Sequence, residues 1–542
     1  MDDDAREQRL TDRIALGAAI AAIAFVLANL VAYRYGRDQG IYAVVAGAMQ
    51  RGGAPYKDAW DFKPPGIFFI YWLARALFGA SEHGVRVLEA GALASMCGAF
   101  AVLSRRWVGA WQAGVLGAAC AVGVHGQLEF WHTGQPESFG GVMIAWALVC
   151  ATYRPASDDP RARAKLLAAW IGCGALYTAA ALCKPPLGGG FLVSAAFLAR
   201  EELRLRADEP LSARVKAALR PVAALAVGGA LVLSLCLAYF AAKGALRDLY
   251  QTLFVFTPHY TKLSFERRWL NAYLYFTLQH FLVEYSSFIC VGVLTFLVLP
   301  PLGSREREGL LHLTLVAALQ LFGVALQAKF FPYHYGATLP LGCLVAGWGA
   351  WKLWRRLSRT SLGVVVFGVA LYWTSQGRGA TRDLEDTYWD RCRQRVAAWL
   401  DPSKRRATED HLYSVADVSS GANRDVAAWL VAHTSPDDRV YIWGFEPEIY
   451  DLSARRPASR YIYNVPQRAT WSTETRADLM AELEHAPPAV IVVERRDVFP
   501  VVTGNSLDSN DSMRDFPRFA RFLRDGYEQE TRIEDFDLYV RR

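Results

Sequence analysis

The sequence predicts an α-helical multi-span membrane protein with a small C-terminal α/β domain. Of its 542 residues 53% are hydrophobic and only 20% charged, less charge than a soluble enzyme of this length carries. The apolar residues gather into runs long enough to cross a bilayer. From Arg378 onward the chain turns polar, and short Val/Ile/Tyr strands alternate with helical patterns.

In chain order, the first apolar run (14–32) follows an acidic start. It is too long for a signal h-region and lacks a small-residue cleavage site, so it is expected to stay as the first span. Two juxtamembrane helices are predicted at 41–50 and 66–78. The second is short and interrupted by Arg75, which marks an interfacial or re-entrant helix rather than a crossing. Further spans are predicted at 86–104, 108–125, 136–153, 164–183, 186–200, 220–241, 273–299, 310–328, 335–354 and 361–376. With the first they make roughly eleven.

Charge sets the orientation. With the N-terminus cytoplasmic, Arg105 and Arg106, Arg154 to Lys165, Arg200 to Arg220, Arg305 and Arg307, and Lys352 to Arg359 fall in inner loops. The short outer connections keep only Lys184 and Lys329. This follows the positive-inside rule and accounts for the net charge of +7 without a nucleic-acid partner. Segments 33–85, 242–272 and everything past about 377 are then outside. The expectation is a multi-pass protein of the cytoplasmic membrane, with the lipid bilayer as a partner.

Three segments are expected: a transmembrane region 1–377 with its first outer loop 33–85, a juxtamembrane amphipathic linker 378–420, and an outer α/β domain 421–542. In the last, helices are predicted at 423–433, near Glu448, at 473–485 and at 514–524, and strands at 439–443, 460–463, 489–493 and 536–540. No GxGxxG or P-loop spacing is present. All of the 9 cysteines but Cys392 lie in or beside apolar runs, and no CxxC or Cys/His cluster suggests a disulfide framework or zinc site.

The candidate chemistry concentrates in the first outer loop: Arg37-Asp38-Gln39-Gly40, Gly52-Gly53-Ala54-Pro55-Tyr56-Lys57-Asp58, and Asp61-Phe62-Lys63-Pro64-Pro65-Gly66. Carboxylates beside a membrane are costly to desolvate unless paired or used. A solvated linker predicts a looser and more polar sequence than this aromatic, Gly/Pro-punctuated one. Asp38, just past the first span, is placed to act as a general base. Its plain alternative is a helix cap or an ion pair with Arg37 or Arg34.

Glu137 follows His132-Thr133-Gly134-Gln135-Pro136 at the outer start of the fourth span. It reads equally as a second site carboxylate and as a first-turn acid of a Pro-initiated helix. Lys63 and Lys184, each in a Lys-Pro-Pro triplet, suit a lipid-linked phosphate. Snorkelling is the better account of Lys184 alone and the poorer one of Lys63. Arg267 and Arg268 are phosphate candidates that a solvated surface explains equally well. His334, in Phe331-Pro332-Tyr333-His334-Tyr335, marks another outer boundary and is a weak indicator. Trp443-Gly444-Phe445-Glu446-Pro447-Glu448 ends a strand and opens a helix, where α/β sheets hold ligands, although such a Glu-Pro-Glu is more often structural.

These first-loop motifs, set directly after the first span, resemble those of bacterial GT-C membrane glycosyltransferases. That group includes relatives of protein O-mannosyltransferases and of the lipid A aminoarabinose transferase. Gln135-Pro136-Glu137, Lys184-Pro185-Pro186, Phe331 to Tyr335 and the outer C-terminal domain fit the same pattern.

The resemblance implies a polyprenyl-phosphate-linked sugar as donor and an envelope lipid, glycan or protein as acceptor. It implies Asp38, with Glu137, as catalytic and an inverting attack. Lys63 would neutralise the departing phosphate. Tyr56, Asp61, His132, Gln135, Lys184, Arg267, Arg268 and His334 are the other candidate substrate-binding residues. Many relatives carry an acidic pair where Asp38 is followed here by Gln39, so a two-carboxylate metal site at 38–39 is absent. A divalent cation would have to draw on Glu137 or Asp61, and no other cofactor is implied.

Two readings compete with a transferase. A transporter or flippase of lipid-linked sugars predicts internal repeats and charged, broken helices at mid-membrane, whereas here the ionisable residues gather at the outer boundary. A non-catalytic envelope assembly protein requires that Asp38 be dispensable.

Overall fold

Among the described residues of the computed structural model, five helices are long and apolar enough to cross a membrane: Arg6–Val31, Glu82–Trp107, Pro160–Cys183, Leu211–Ala242 and Ser304–Gln327. The structure describes residues 2–157, 159–262, 269–284, 287–299, 302–376, 386–414, 420–468 and 474–542. Shorter helices occupy other predicted crossings: Trp111–Gln127, Pro136–Ala151, Leu339–Leu357 and Ser361–Ser375.

Two predicted crossings differ. The one at 186–200 starts later, as Gly190–Leu205, because Pro185 and Pro186 hold the chain in a 3₁₀ turn, Pro185–Gly189. The one at 273–299 is not a single helix. Leu270–Gln279 runs into a π-helical turn, His280–Glu284, before Ser287–Val298. Within the amphipathic linker expected over 378–420, a helix spans Tyr388–Leu400, and 378–385 and 415–419 lie outside the described residues.

The chain divides into two units. Unit 1 combines Met1–Tyr33, Arg86–Leu237 and Arg268–Arg393; unit 2 combines Arg34–Val85, Ala238–Arg267 and Gln394–Arg542. This grouping differs from the sequence-based segments, because the first outer loop shares a unit with the C-terminal residues.

Among its described residues, the regular structure of unit 1 is all helical. Lipid gives helices no hydrophobic reason to associate, so small residues that let backbones approach become important. A Cβ added at Gly174 would lie 1.9 Å from Leu225 O, and one at Gly228 would lie 1.9 Å from Ile171 O. The helices Pro160–Cys183 and Leu211–Ala242 therefore meet backbone to backbone. Trp348 Nε1 donates to Ser104 Oγ at 2.7 Å, which satisfies a polar atom that lipid could not.

Unit 2 holds one five-stranded mixed sheet of β1 (Arg439–Trp443), β2 (Arg456–Pro457), β3 (Val490–Glu494), β4 (Tyr527–Ile533) and β5 (Phe536–Arg541), in the order β2-β1-β3-β5-β4. β2 and β3 flank β1 in parallel, while β5 runs antiparallel to β3 and β4. β3 is buried along its whole length, as an unbroken Val/Ile run predicts for a central strand.

The segment 460–463, predicted as a strand, is not one; the pairing residues are Arg456–Pro457. Arg460 O accepts from Trp60 N at 2.7 Å, and Arg460 N donates to Glu482 Oε2 at 2.9 Å. With those groups taken, Tyr461, Ile462 and Tyr463 bury their side chains from a loop. β4 was not predicted because its Glu/Gln-rich sequence is that of an exposed edge.

Candidate active site

The cluster around Asp38 lies in unit 2. Gly36 caps the helix Arg37–Gln50, and Gln39 Oε1 accepts from Gly36 N at 3.0 Å. The helix therefore starts before the predicted 41–50 and places Asp38 in its first turn, where the macrodipole favours an anion. Lys63 Nζ donates to Asp38 Oδ2 at 3.3 Å, and the two side chains are 15% and 23% exposed. Arg37 pairs with Glu446 at 2.5 Å, and Arg34 with Glu82 at 3.3 Å and Glu409 at 3.0 Å.

Asp61 is fully buried beside this pair. Tyr463 Oη donates to Asp61 Oδ1 at 2.6 Å, and Lys63 N donates to Oδ2 at 3.2 Å. Burial pushes the Asp61 carboxyl up to about 6, against the pull of Lys63 and Tyr463. Tyr56, held at φ 68°, donates its hydroxyl to Lys63 O at 2.8 Å and so shapes the loop that presents Lys63. The Tyr260 ring centroid lies 4.4 Å from that of Phe62, and the phenol feels the charges of Lys63, Asp38 and Asp61.

Behind Asp38, Arg37 is held by the ends of two parallel strands. Its guanidinium meets Glu446 just past β1 and Glu494 at the end of β3 (3.9 Å), and lies 4.3 Å from the Phe499 ring centroid. Asn423 Nδ2 donates to Glu446 Oε2 at 3.0 Å and to Glu448 Oε1 at 2.7 Å. Burial, then neighbouring carboxylates, raise the Glu448 and Glu494 carboxyls; burial also raises Glu446, with Arg37 opposing.

Unit 1 brings a second set together. Glu137, buried in the first turn of Pro136–Ala151, forms an ion pair with Lys184, and its Oε2 has no hydrogen-bond partner among the described residues. Lys184 Nζ and the His132 ring both lie 5.6 Å from the Tyr333 ring centroid. Gln135 caps the helix and donates from Nε2 to Trp131 O at 3.0 Å. His334 Nδ1 contacts Lys329 O at 2.6 Å.

Arg267 and Arg268 lie outside the described residues. Among the described residues no group of three or more His, Cys, Asp or Glu has the arrangement to hold a metal ion. Sequence reasoning missed Tyr463 and the carboxylate clamp of Glu446 and Glu494 on Arg37. The one available signal was Glu446, a carboxylate set among Trp443, Phe445 and Pro447.

The chain shares its fold with a solved structure. The likeness is to the lipid A aminoarabinose transferase ArnT of Cupriavidus metallidurans bound to undecaprenyl phosphate, at 14% identity and a TM-score of 0.60 over 97% of each chain. Its apo state matches at 14% identity and 0.58 over 98% of each. The Archaeoglobus fulgidus oligosaccharyltransferase in complex with Zn and sulfate matches at 12% identity and 0.46, over 87% of this chain and 68% of that one. Residues 420–523 match the family model Ccs4_C, described as "Putative competence-induced protein Ccs4 C-terminal domain". No curated protein matches the sequence.

Proposed function

We propose that this protein is a membrane glycosyltransferase. It moves a sugar from a polyprenyl-phosphate-linked donor to an acceptor on the outer face of the cytoplasmic membrane, where unit 2 would work. The observation that carries this reading is the Asp38–Lys63 pair at 3.3 Å, set beside a buried acid in the first loop. The ArnT-like fold supports it, and that relative was solved with undecaprenyl phosphate, the species a polyprenyl-phosphate donor leaves behind.

An arriving donor phosphate competes with Asp38 for Lys63. Once Lys63 turns to the phosphate, Asp38 is released to accept the proton of the acceptor hydroxyl or amine. The acceptor atom bonds to the anomeric carbon as the bond from that carbon to the phosphate oxygen breaks. Negative charge then gathers on the leaving phosphate, where Lys63 stabilises it. Attack from the face opposite the phosphate inverts the anomeric centre. The same reading makes Glu137 a second carboxylate with Lys184 as its counter-charge.

Purified protein incubated with a panel of polyprenyl-phosphate sugars and an envelope extract tests this, with release of free polyprenyl phosphate as the readout. Release with one donor, lost in Asp38→Asn, is the expected result. Equal release from the Asp38→Asn protein would overturn it.

A further inference from the structure

Unit 2 contains a cleft of about 410 Å³ whose lining includes none of Asp38, Asp61 and Lys63. Its lining carries five cationic side chains, Arg51, Lys57, Arg439, Arg456 and Arg460, against two carboxylates, Asp58 and Glu482. The acids are already engaged. Asp58 accepts from Ala54 N at 2.8 Å, and Glu482 is taken by Ser459 and Arg460.

Arg51, Arg439 and Arg456 have no ion-pair partner within 4.0 Å among the described residues. Arg439 and Arg456 are register partners on the parallel strands β1 and β2, so their side chains leave the same face of the sheet. Like charges so placed repel. Arg51 follows the helix Arg37–Gln50. Burial, Arg456 and Arg75 all oppose its charge; Asp451, which supports it, is claimed by Arg75 at 2.6 Å. An arrangement of this kind carries surplus positive potential that an anion would relieve.

The cleft also reaches the end of a span-length helix. Tyr239 Oη donates to Gly53 O at 3.3 Å, and Lys57 Nζ donates to Lys243 O at 3.0 Å. Lys243 directly follows Leu211–Ala242, one of the helices able to cross a membrane. A helix that crosses a bilayer ends at the depth of lipid headgroups, where basic residues meet phosphates. Guanidinium forks match phosphate oxygens two at a time, and three of them suit a dianion better than a lone carboxylate.

We propose that this cleft binds a phosphomonoester, with a membrane lipid headgroup as its source, through Arg51, Arg439, Arg456 and Lys57. The site goes beyond the transferase reading and stands whether or not that reading holds.

The test is calorimetric titration of the full-length protein in neutral detergent with dioctanoyl phosphatidic acid, dioctanoyl phosphatidylcholine or inorganic phosphate. Phosphatidic acid is expected to bind, and an Arg51→Gln/Arg456→Gln protein to bind it about tenfold more weakly or worse. Arg514→Gln/Arg524→Gln, which removes the same charge at side chains 80% and 71% exposed, should bind like the wild type. Unchanged affinity in the first double variant would overturn the site. Phosphatidylcholine bound as tightly as phosphatidic acid would overturn the phosphomonoester, and inorganic phosphate bound as tightly would overturn the lipid source.

Discussion

Tyr463 donates a 2.6 Å hydrogen bond to Asp61, 402 residues earlier in the chain. The acid that receives it carries Lys63 N on its other oxygen. The C-terminal region thus supplies an atom to the loop holding the proposed phosphate ligand.

Burial of this acid sets a pH dependence, which the contact opposes. Asp61 titrates at about 6 in the folded protein and near 3.9 in an unfolded chain. Its protonated form therefore stabilises the fold fully below about pH 4, and that contribution is lost as pH rises through about 6. Wild-type stability measured against Asp61→Asn should rise by on the order of 3 kcal/mol from pH 7 to pH 4. Unfolding midpoints across that range check it; a flat difference would show that burial does not hold the proton. Tyr463→Phe removes a bond that favours the charged form, so the transition should move to higher pH.

Asp38→Asn should lower sugar transfer by about 10²–10⁴-fold, the range of a lost general base. The Asp38–Lys63 pair is partly exposed and contributes at most about 1 kcal/mol to the fold. The variant should therefore melt close to the wild type. Donor turnover and melting, measured on one preparation, separate lost chemistry from lost structure.

Lys63→Ala should raise the donor KM about tenfold or more while leaving acceptor KM nearly unchanged, because one charge-assisted phosphate contact is lost. Steady-state kinetics against each substrate decide it. Equal effects on both substrates would take Lys63 off the phosphate.

Arg37→Ala leaves Glu446 and Glu494 buried without the guanidinium, a loss of about 3–5 kcal/mol for a broken buried ion pair. Burial already raises both carboxyls. Protonation at lower pH should therefore narrow the gap to the wild type. Melting curves at pH 5 and pH 7 test the sign, and Glu446→Gln in the same background should restore part of the loss.

Gly228→Val should prevent unit 1 from packing, because even a Cβ there would sit 1.9 Å from Ile171 O. Size-exclusion profiles in detergent should shift from a single folded peak to aggregate. An unchanged profile would show that the two helices can separate without loss.

The legible parts were those fixed by local sequence. Apolar length marks membrane helices, and the apolar residues of β1 and the Val/Ile run of β3 mark buried strands at nearly the right residues. The Pro-Pro after Lys184 already carries the helix break that delays Gly190–Leu205. First-loop spacing singled out Asp38 and Lys63, because charge beside long apolar runs is conspicuous wherever the chain folds.

Tertiary structure decided which charges meet. Arg37 and Asp38 are neighbours in sequence, yet Arg37 goes to Glu446 while Lys63 goes to Asp38. Tyr463 has the sequence of a strand residue and serves as a hydrogen-bond donor to Asp61. Hydrophobic periodicity is written along the chain because burial acts on each segment separately. An ion pair across hundreds of residues depends on the fold that closes that loop, so no local pattern records it.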